Sequence, residues 1–160
     1  MAAIDGLRER VEIARREYAA LPADGWGPLG RLDERTGERW DRGHVLGHVA
    51  EAVPFWMGQI RAVLDGTTGF VGRDEVGGAQ RRTGIDSGRE AGEAGLLRRI
   101  DAALLALQAM LADLREADLD RRVVFRSAQG DRESDLLLLI DQLLVGHVED
   151  HLKQISESDG

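Results

Sequence analysis

The sequence predicts an all-α fold, a four-helix bundle, on three observations. Four segments carry apolar residues at alternating steps of three and four, the period of a helix with one buried face. The apolar content is mainly Leu, Ala and Val, with aromatics at only 4%, which suits helices better than sheets. At 160 residues the chain has room for a single domain, residues 1–160, with a core of its own.

The first helix is expected over about 3–21, on the stripe Ile4, Leu7, Val11, Ala14, Tyr18, Leu21. Pro22 and the Asp24-Gly25 pair stop it. The second is expected over about 41–64, on Leu46, Val49, Val53, Trp56, Ile60 and Val63. Asp41 is a good N-cap for it, and Trp40 can staple onto Val45 in the first turn. Between this helix and the next, residues 66–92 hold eight glycines and no clear period, and read as a long glycine-rich loop. The third helix, over about 93–116, carries Leu97, Ile100, Leu104, Leu107, Leu111 and Leu114. Val123-Val124-Phe125 marks a short extended piece. The fourth helix, over about 133–156, runs Leu137, Ile140, Leu144, His147, His151, Ile155, with Asp131 or Ser134 as its cap.

Composition narrows the function. The formal net charge is −8 and no basic block interrupts it, which argues against nucleic acid or an anionic membrane as partner. Without cysteine there is no disulfide, no cysteine metal ligand and no protein thiol nucleophile. The charged start and the lack of a long apolar run give neither a signal peptide nor a membrane span, so a cytoplasmic protein is expected. Lys153 is the only lysine among 21 basic residues, a bias better ascribed to a GC-rich genome than to function.

The four histidines form two pairs of equal spacing, His44/His48 and His147/His151. Spacing of i,i+4 puts both imidazoles of a pair on one helical face, close enough to share a metal. His147 and His151 stand where leucine would continue a core stripe. Two buried imidazoles without partners would cost several kcal/mol in lost hydrogen bonding, and a divalent ion satisfies both at once. A histidine in a first helical turn, as His44 is, commonly faces solvent. His147-Val-Glu-Asp-His151 echoes an inverted zincin motif with Asp150 in place of its glutamate, but Asp150 reads better as a solvated carboxylate or as one that supports a ligand, and Glu149 has less claim still to a catalytic role.

Other features divide between structural and functional readings. Pro54 should kink the second helix, either opening a mouth over the site or making a bend filled by Phe55 and Trp56. Trp56 itself either fills the core or lines a pocket. Arg121, Arg122 and Arg126 could hold an anion. Arg8, Arg10, Arg15 and Arg16, interleaved with Glu9, Glu12 and Glu17, read as a solvated helix face. The glycines of 66–92 do not make a phosphate loop, having neither a G-x-G-x-x-G nor a G-K-[ST] pattern.

Three stretches together resemble the DinB/YfiT-like metalloenzyme family, which shares its fold with the N-terminal domain of mycothiol-dependent maleylpyruvate isomerase. Trp40-Asp41-Arg42-Gly43-His44-Val45-Leu46-Gly47-His48-Val49-Ala50-Glu51 is similar to the family's second helix, where a Trp precedes the metal histidine by eight residues. Gly146-His147-Val148-Glu149-Asp150-His151-Leu152-Lys153-Gln154-Ile155 is similar to its closing helix. Phe70-Val71-Gly72-Arg73-Asp74 is similar to a short F-G-R-D element after helix two, here with Val inserted. The likeness covers nearly the whole chain. It implies a four-helix bundle with a three-histidine metal site made of His48, His147 and His151, with His44 outside it, and a homodimer.

Three neutral imidazoles leave positions open on a divalent ion, the arrangement of a catalytic site rather than a structural one. Zn²⁺ is the first choice for such ligands, with Ni²⁺ or Fe²⁺ as alternatives. The ion could activate a bound water or thiol, and the thiol would have to be a small molecule such as mycothiol. The expected function is a metal-dependent transferase or hydrolase, acting with a thiol on a small-molecule substrate. The alternative is a non-catalytic binding or dimerisation module whose metal site is structural or vestigial. No acid–base pair in the sequence demands a particular reaction, so catalytic residues are not assigned.

Overall fold

The computed structural model describes residues 2–22, 25–34 and 36–158, without the side chains of Glu75, Val76 and Ser158. Asp24, expected to help stop the first helix, lies outside the described residues. The described elements run α1 (Ala3–Ala19), β1 (Leu32–Asp33), β2 (Glu38–Arg39), α2 (Arg42–Leu64), β3 (Phe70–Gly72), α3 (Glu75–Glu90) and α4 (Gly92–Asp113). A 3₁₀ turn (Glu116–Asp120) leads to β4 (Arg122–Ser127) and β5 (Gly130–Asp135). Then α5 (Leu136–Ile140), a π-helical turn (Asp141–Val145) and α6 (Gly146–Ser158) succeed one another without a break in helical backbone.

Helices α1, α2, α4 and α6 are the four expected ones, and their stripes make the core. Ile4, Leu7, Val11, Ala14 and Tyr18 of α1 are buried, as are Leu46, Val49, Val53, Trp56, Ile60 and Val63 of α2. So are Ile100, Leu104, Leu107 and Leu111 of α4. Helix α2 is central, touching α3, α4 and α6, while α1 packs on α4 and α6. Asp41 caps α2 as expected, accepting from the His44 amide at 2.9 Å. Trp56 belongs to the core, and α2 stays helical through the exposed Pro54.

Three expectations need correction. The fold is mostly helical but not all-α: β3, β4 and β5 form a three-stranded sheet in that order, β3 parallel and β5 antiparallel to β4. Val71, Val123 and Ser134 bury one face of it. A two-stranded ribbon, Leu32↔Arg39 and Asp33↔Glu38, precedes α2. Strand β5, sequence GDRESD, has almost no strand propensity, and it is set by hairpin pairing with the β-branched strand β4.

Second, the last helix begins at Leu136 rather than near 133. Its cap is Asp135, which accepts from Leu138 N at 2.7 Å, while Asp131 and Ser134 lie in β5. Leu136 takes the core place expected of Leu137, which is 36% exposed. The true stripe is Leu136, Ile140, Leu144, Val148, Leu152 and Ile155, so His147 and His151 border it instead of continuing it.

Third, the glycine-rich stretch is largely helix. Asp74 caps α3 by accepting from Gly77 N at 2.8 Å. The glycines that hid the helix allow it to lie against α2. A Cβ on Gly47 would sit 3.1 Å from the Ile85 carbonyl oxygen, and one on Gly88 would sit 3.3 Å from Gly47 Cα. Glycine costs helix stability, and here close interhelical approach offsets that cost. Gly47→Ala should therefore destabilise the protein by about 1–3 kcal/mol through overpacking against fixed backbone. Gly78→Ala, whose Cβ would meet only Arg82 Nη1 at 3.9 Å, should stabilise it by about 0.5–1 kcal/mol. Urea unfolding of the two variants decides; equal effects would contradict the seam.

Candidate metal centre

Two helices bring the histidines together. His48 comes from the second turn of α2, and His147 and His151 from the first turns of α6. Helix α6 is fixed from α1: the buried Tyr18 hydroxyl donates to the Val148 carbonyl at 2.9 Å, and Arg10 pairs with Glu149 and with Asp141 (2.9 Å). Asp141 opens the π turn, which closes when Gly146 N–H donates to the Asp141 carbonyl. A Cβ on Gly146 would lie 2.9 Å from that oxygen, so glycine is required one residue before His147. Such turns shift the phase of a helix by an extra residue and recur at functional sites.

His48, His147 and His151 each offer a ring nitrogen, all within 4.8 Å of one another. His48 Nε2 and His147 Nε2 are 2.9 Å apart, and the rings meet edge to face at centroid distances of 4.4–4.9 Å. His151 Nδ1 is 2.8 Å from Gln154 Oε1, which leaves its Nε2 as the free nitrogen. His48 Nδ1 is buried without a hydrogen-bond partner, with Glu51 Oε2 at 3.9 Å. Zn–N bonds of about 2.0–2.1 Å at tetrahedral angles separate ligand nitrogens by about 3.3–3.4 Å, so the His48–His147 pair at 2.9 Å would widen slightly around such an ion, with all three ligand atoms already within 4.8 Å.

Burial keeps these imidazoles uncharged. It pushes His48 down to about 2 and His147 to about 3 from an ordinary 6.5, with the neighbouring histidines, Arg81 and Arg73 adding to the effect. His151 is lowered by burial too, partly offset by Gln154 and Asp150. Neutral imidazole is the form that ligates metal.

The cluster opens into a cavity of about 190 Å³ lined also by Arg31, Asp33, Glu38, Trp40, Arg81 and Gln154. Trp40 has its ring centroid 5.1 Å from that of His48 and 6.3 Å from that of His151, and the Arg81 guanidinium lies over the Trp40 ring at 5.0 Å. Sequence reasoning missed Arg31, Asp33, Glu38 and Arg81, which reach the site from the ribbon and from α3. A larger cavity of about 780 Å³, lined by Phe55, Phe70, Arg126 and others, contains no histidine.

The remaining candidates have structural occupations. His44 stands apart from the cluster, since its Nδ1 accepts from the Asp41 amide at 3.2 Å and Arg89 lies 3.2 Å away. Asp150 is exposed. Arg121 donates to the Val63 and Leu64 carbonyls at 2.8 and 3.2 Å, satisfying the end of α2. Arg122 faces Glu133 at 3.7 Å, and Arg126 pairs with Asp131 at 3.2 Å. Arg73 and Asp74 of the F-G-R-D-like element clamp Glu51 and cap α3.

The depressed histidines make metal-free stability depend on pH. Between the unfolded value of 6.5 and the folded value of about 3, the unfolded chain binds protons that the folded one does not. Stability should therefore fall with pH below 6.5, and in the window down to about 5 carboxylates contribute little. Thermal melts of metal-free protein should show this drop, and a smaller one in His147→Gln. A flat profile from neutrality to about pH 5 would contradict the burial argument.

A family model described as the DinB superfamily matches residues 10–155. No curated protein matches the chain by sequence. Among solved structures, mycothiol-dependent maleylpyruvate isomerase is similar with a TM-score of 0.69 at 16% identity, over 96% of this chain and 59% of that one. An uncharacterized protein from Clostridium difficile 630 gives 0.69 at 11% identity, covering 98% of this chain and 95% of that one. The colibactin self-resistance protein ClbS, solved in complex with a dsDNA, gives 0.68 at 10%, covering 98% and 93%. At such identities these likenesses establish the fold alone, and the chain spans about three-fifths of the isomerase. With the match running from within α1 to near the end of α6, over most of its length, the chain belongs to the DinB superfamily.

Proposed function

We propose that this protein is a metal-dependent enzyme in which His48, His147 and His151 hold one divalent ion, and that it acts as a thiol-dependent transferase or a hydrolase on a small molecule. One observation carries the reading: three uncharged imidazoles converge within 4.8 Å and line a cavity of about 190 Å³. Zn²⁺ suits this donor set best, with Ni²⁺ and Fe²⁺ as alternatives. When bound, the ion would supply Lewis-acid activation of a water or of a thiol.

The chain's own residues do the rest. The three histidines would hold the ion, and the cavity they line would admit a water or thiol as a further ligand. Trp40 offers a flat apolar wall, Gln154 a carboxamide, and Arg81 a cation toward the entering molecule. Having no cysteine, the protein would take its thiol from solution, as a low-molecular-weight compound of the mycothiol kind. That pool is kept reduced in the cytoplasm, which is where we place the activity. The net charge of −8 and the structural engagement of Arg121, Arg122 and Arg126 favour a small-molecule partner over nucleic acid. No described helix is long and apolar enough to cross a membrane. We further propose a homodimer, on the resemblance of the sequence to its family, which sedimentation at micromolar concentration tests.

Protein purified without a nickel column should contain or take up one Zn²⁺ per chain. His147→Ala should lower the affinity by more than about 100-fold, since losing a ligand exceeds the usual cost of losing its supporting partner. His44→Ala should change it by less than about threefold. Equal losses in both variants, or no stoichiometric uptake by the unaltered protein, would overturn the assignment. A screen of thiol conjugates on the loaded protein then tests the reaction class.

A further inference from the structure

His48 has one nitrogen too many for its surroundings. Its Nε2 faces His147 Nε2 at 2.9 Å, and its Nδ1 is buried with no hydrogen-bond partner. The acceptor before that nitrogen is Glu51 Oε2, three residues along α2 and 3.9 Å away. A water bridge with two bonds of about 2.8–2.9 Å spans about 4.5 Å, so there is no room for a mediating water. A shift of about 1 Å would bring the two atoms to hydrogen-bond distance.

Glu51 is itself a built feature. Arg73 Nη1 donates to Oε1 at 2.7 Å and Nη2 to Oε2 at 3.2 Å, with both side chains 13% exposed. The guanidinium also donates to the Gly77 carbonyl at 2.9 Å and lies 3.9 Å over the Phe55 ring. Helix α3 leaves space for the pair through its glycines. A Cβ on Gly84 would come within 2.6 Å of Glu51 Cγ, and one on Gly77 within 2.8 Å of Arg73 Cγ. On α6 the same i,i+3 relation joins His151 Nδ1 to Gln154 Oε1 at 2.8 Å. Each helix thus places an acceptor one turn after a site histidine.

We infer that Glu51 is the positioning residue of His48: its Oε2, held by Arg73, accepts the hydrogen bond of Nδ1–H, keeps the proton on that nitrogen and thereby aims the His48 Nε2 lone pair at the centre shared with His147 and His151. A carboxylate in this place fixes the tautomer and raises the donor strength of the ring. The hydrogen bond at 2.9 Å between the two Nε2 atoms then has a defined sense, with His147 donating and His48 accepting. The consequence for metal affinity rests on the metal-site reading, while the tautomer does not depend on it.

Glu51→Gln separates the two. Its single amide oxygen goes to the Oε1 place, where Arg73 makes the shorter bond, and its NH₂ goes to the Oε2 place facing His48. An N–H donor there makes Nδ1 an acceptor and moves the ring proton to Nε2, the wrong tautomer for ligation. Long-range ¹⁵N–¹H correlation spectra of metal-free protein near neutral pH should show His48 protonated at Nδ1 in the unaltered chain and at Nε2 in Glu51→Gln. Zinc affinity, from competition with a chelator, should fall about 10- to 100-fold in the variant. An Nε2–H ring in the unaltered protein, or an unchanged tautomer in the variant, overturns the inference. If Glu51→Gln does not fold, the tautomer of the unaltered chain still decides. If the unaltered protein shows the Nδ1–H ring but takes no zinc, Glu51 keeps its role and the metal reading falls.

Discussion

Desolvation of three imidazoles around one point is the constraint on which the rest of this structure depends. Inside a bundle a histidine cannot carry charge cheaply, and three within 4.8 Å cannot carry it together. Their pressure toward neutrality is strong, down to about 2 at His48. A group held neutral and short of partners tends to rearrange or admit water unless its backbone is fixed. The devices around the site supply that fixation. Tyr18 and Arg10 tie α6 to α1, the π turn sets the phase at His147, and Asp41 caps α2 two turns before His48.

The ion pairs of this acidic, arginine-rich chain are mostly joints between elements. Arg42 faces Glu93 at 2.9 Å, both nearly buried, and also reaches the Pro22 carbonyl, joining α2, α4 and the loop after α1. Arg89 reaches back from α3 to the Asp41 cap at 2.8 Å. Arg73 joins β3 to α2 through Glu51, and Arg121 joins β4 to the end of α2. Arg42, Arg73 and Arg89 each engage two nitrogens of the planar fork, a geometry lysine lacks. A bias toward arginine that the sequence leaves looking genomic therefore has structural consequences, because nearly every tether on α2 is a guanidinium.

Much of this was legible from residue order. The apolar stripes of α1, α2 and α4 stand out because each buries one continuous face, and the Asp41 cap because short polar side chains have one good place at a helix start. The two histidine pairs were visible from their spacing, and Val123-Val124-Phe125 from its branched and aromatic side chains. Helix α3 was not, because its glycines serve contact with α2 and erase the apolar period by which a helix is recognised. Strand β5 was not, because its register comes from β4. Leu137 was misplaced because neither the strand ending at Asp135 nor the π turn at Asp141–Val145 leaves a periodic trace, and each shifts the phase of the helical residues after it. Glu51, Arg73 and Arg81 were missed as neighbours of the site for a related reason: α3 and β3 bring two of them there, and a segment read as loop brings nothing.

The two sides of the histidine cluster differ in kind, and this difference orders the site. Behind His48 lies a closed pair, Glu51 with Arg73, each 13% exposed and cradled by glycines of α3. In front lie Trp40, Arg81, Glu38, Asp33 and Arg31, charged groups of both signs around an open cavity. Arg81 and Glu38 are 3.7 Å apart, a loose pair that an entering ligand can part at little cost. The closed side holds its charges in place, while the open side, with loosely paired charge, can rearrange around a bound molecule. Helix α3 supplies residues to both, Gly77 and Gly84 behind and Arg81 in front. The segment least recognisable in the sequence is thus the one that couples the support of the site to its mouth.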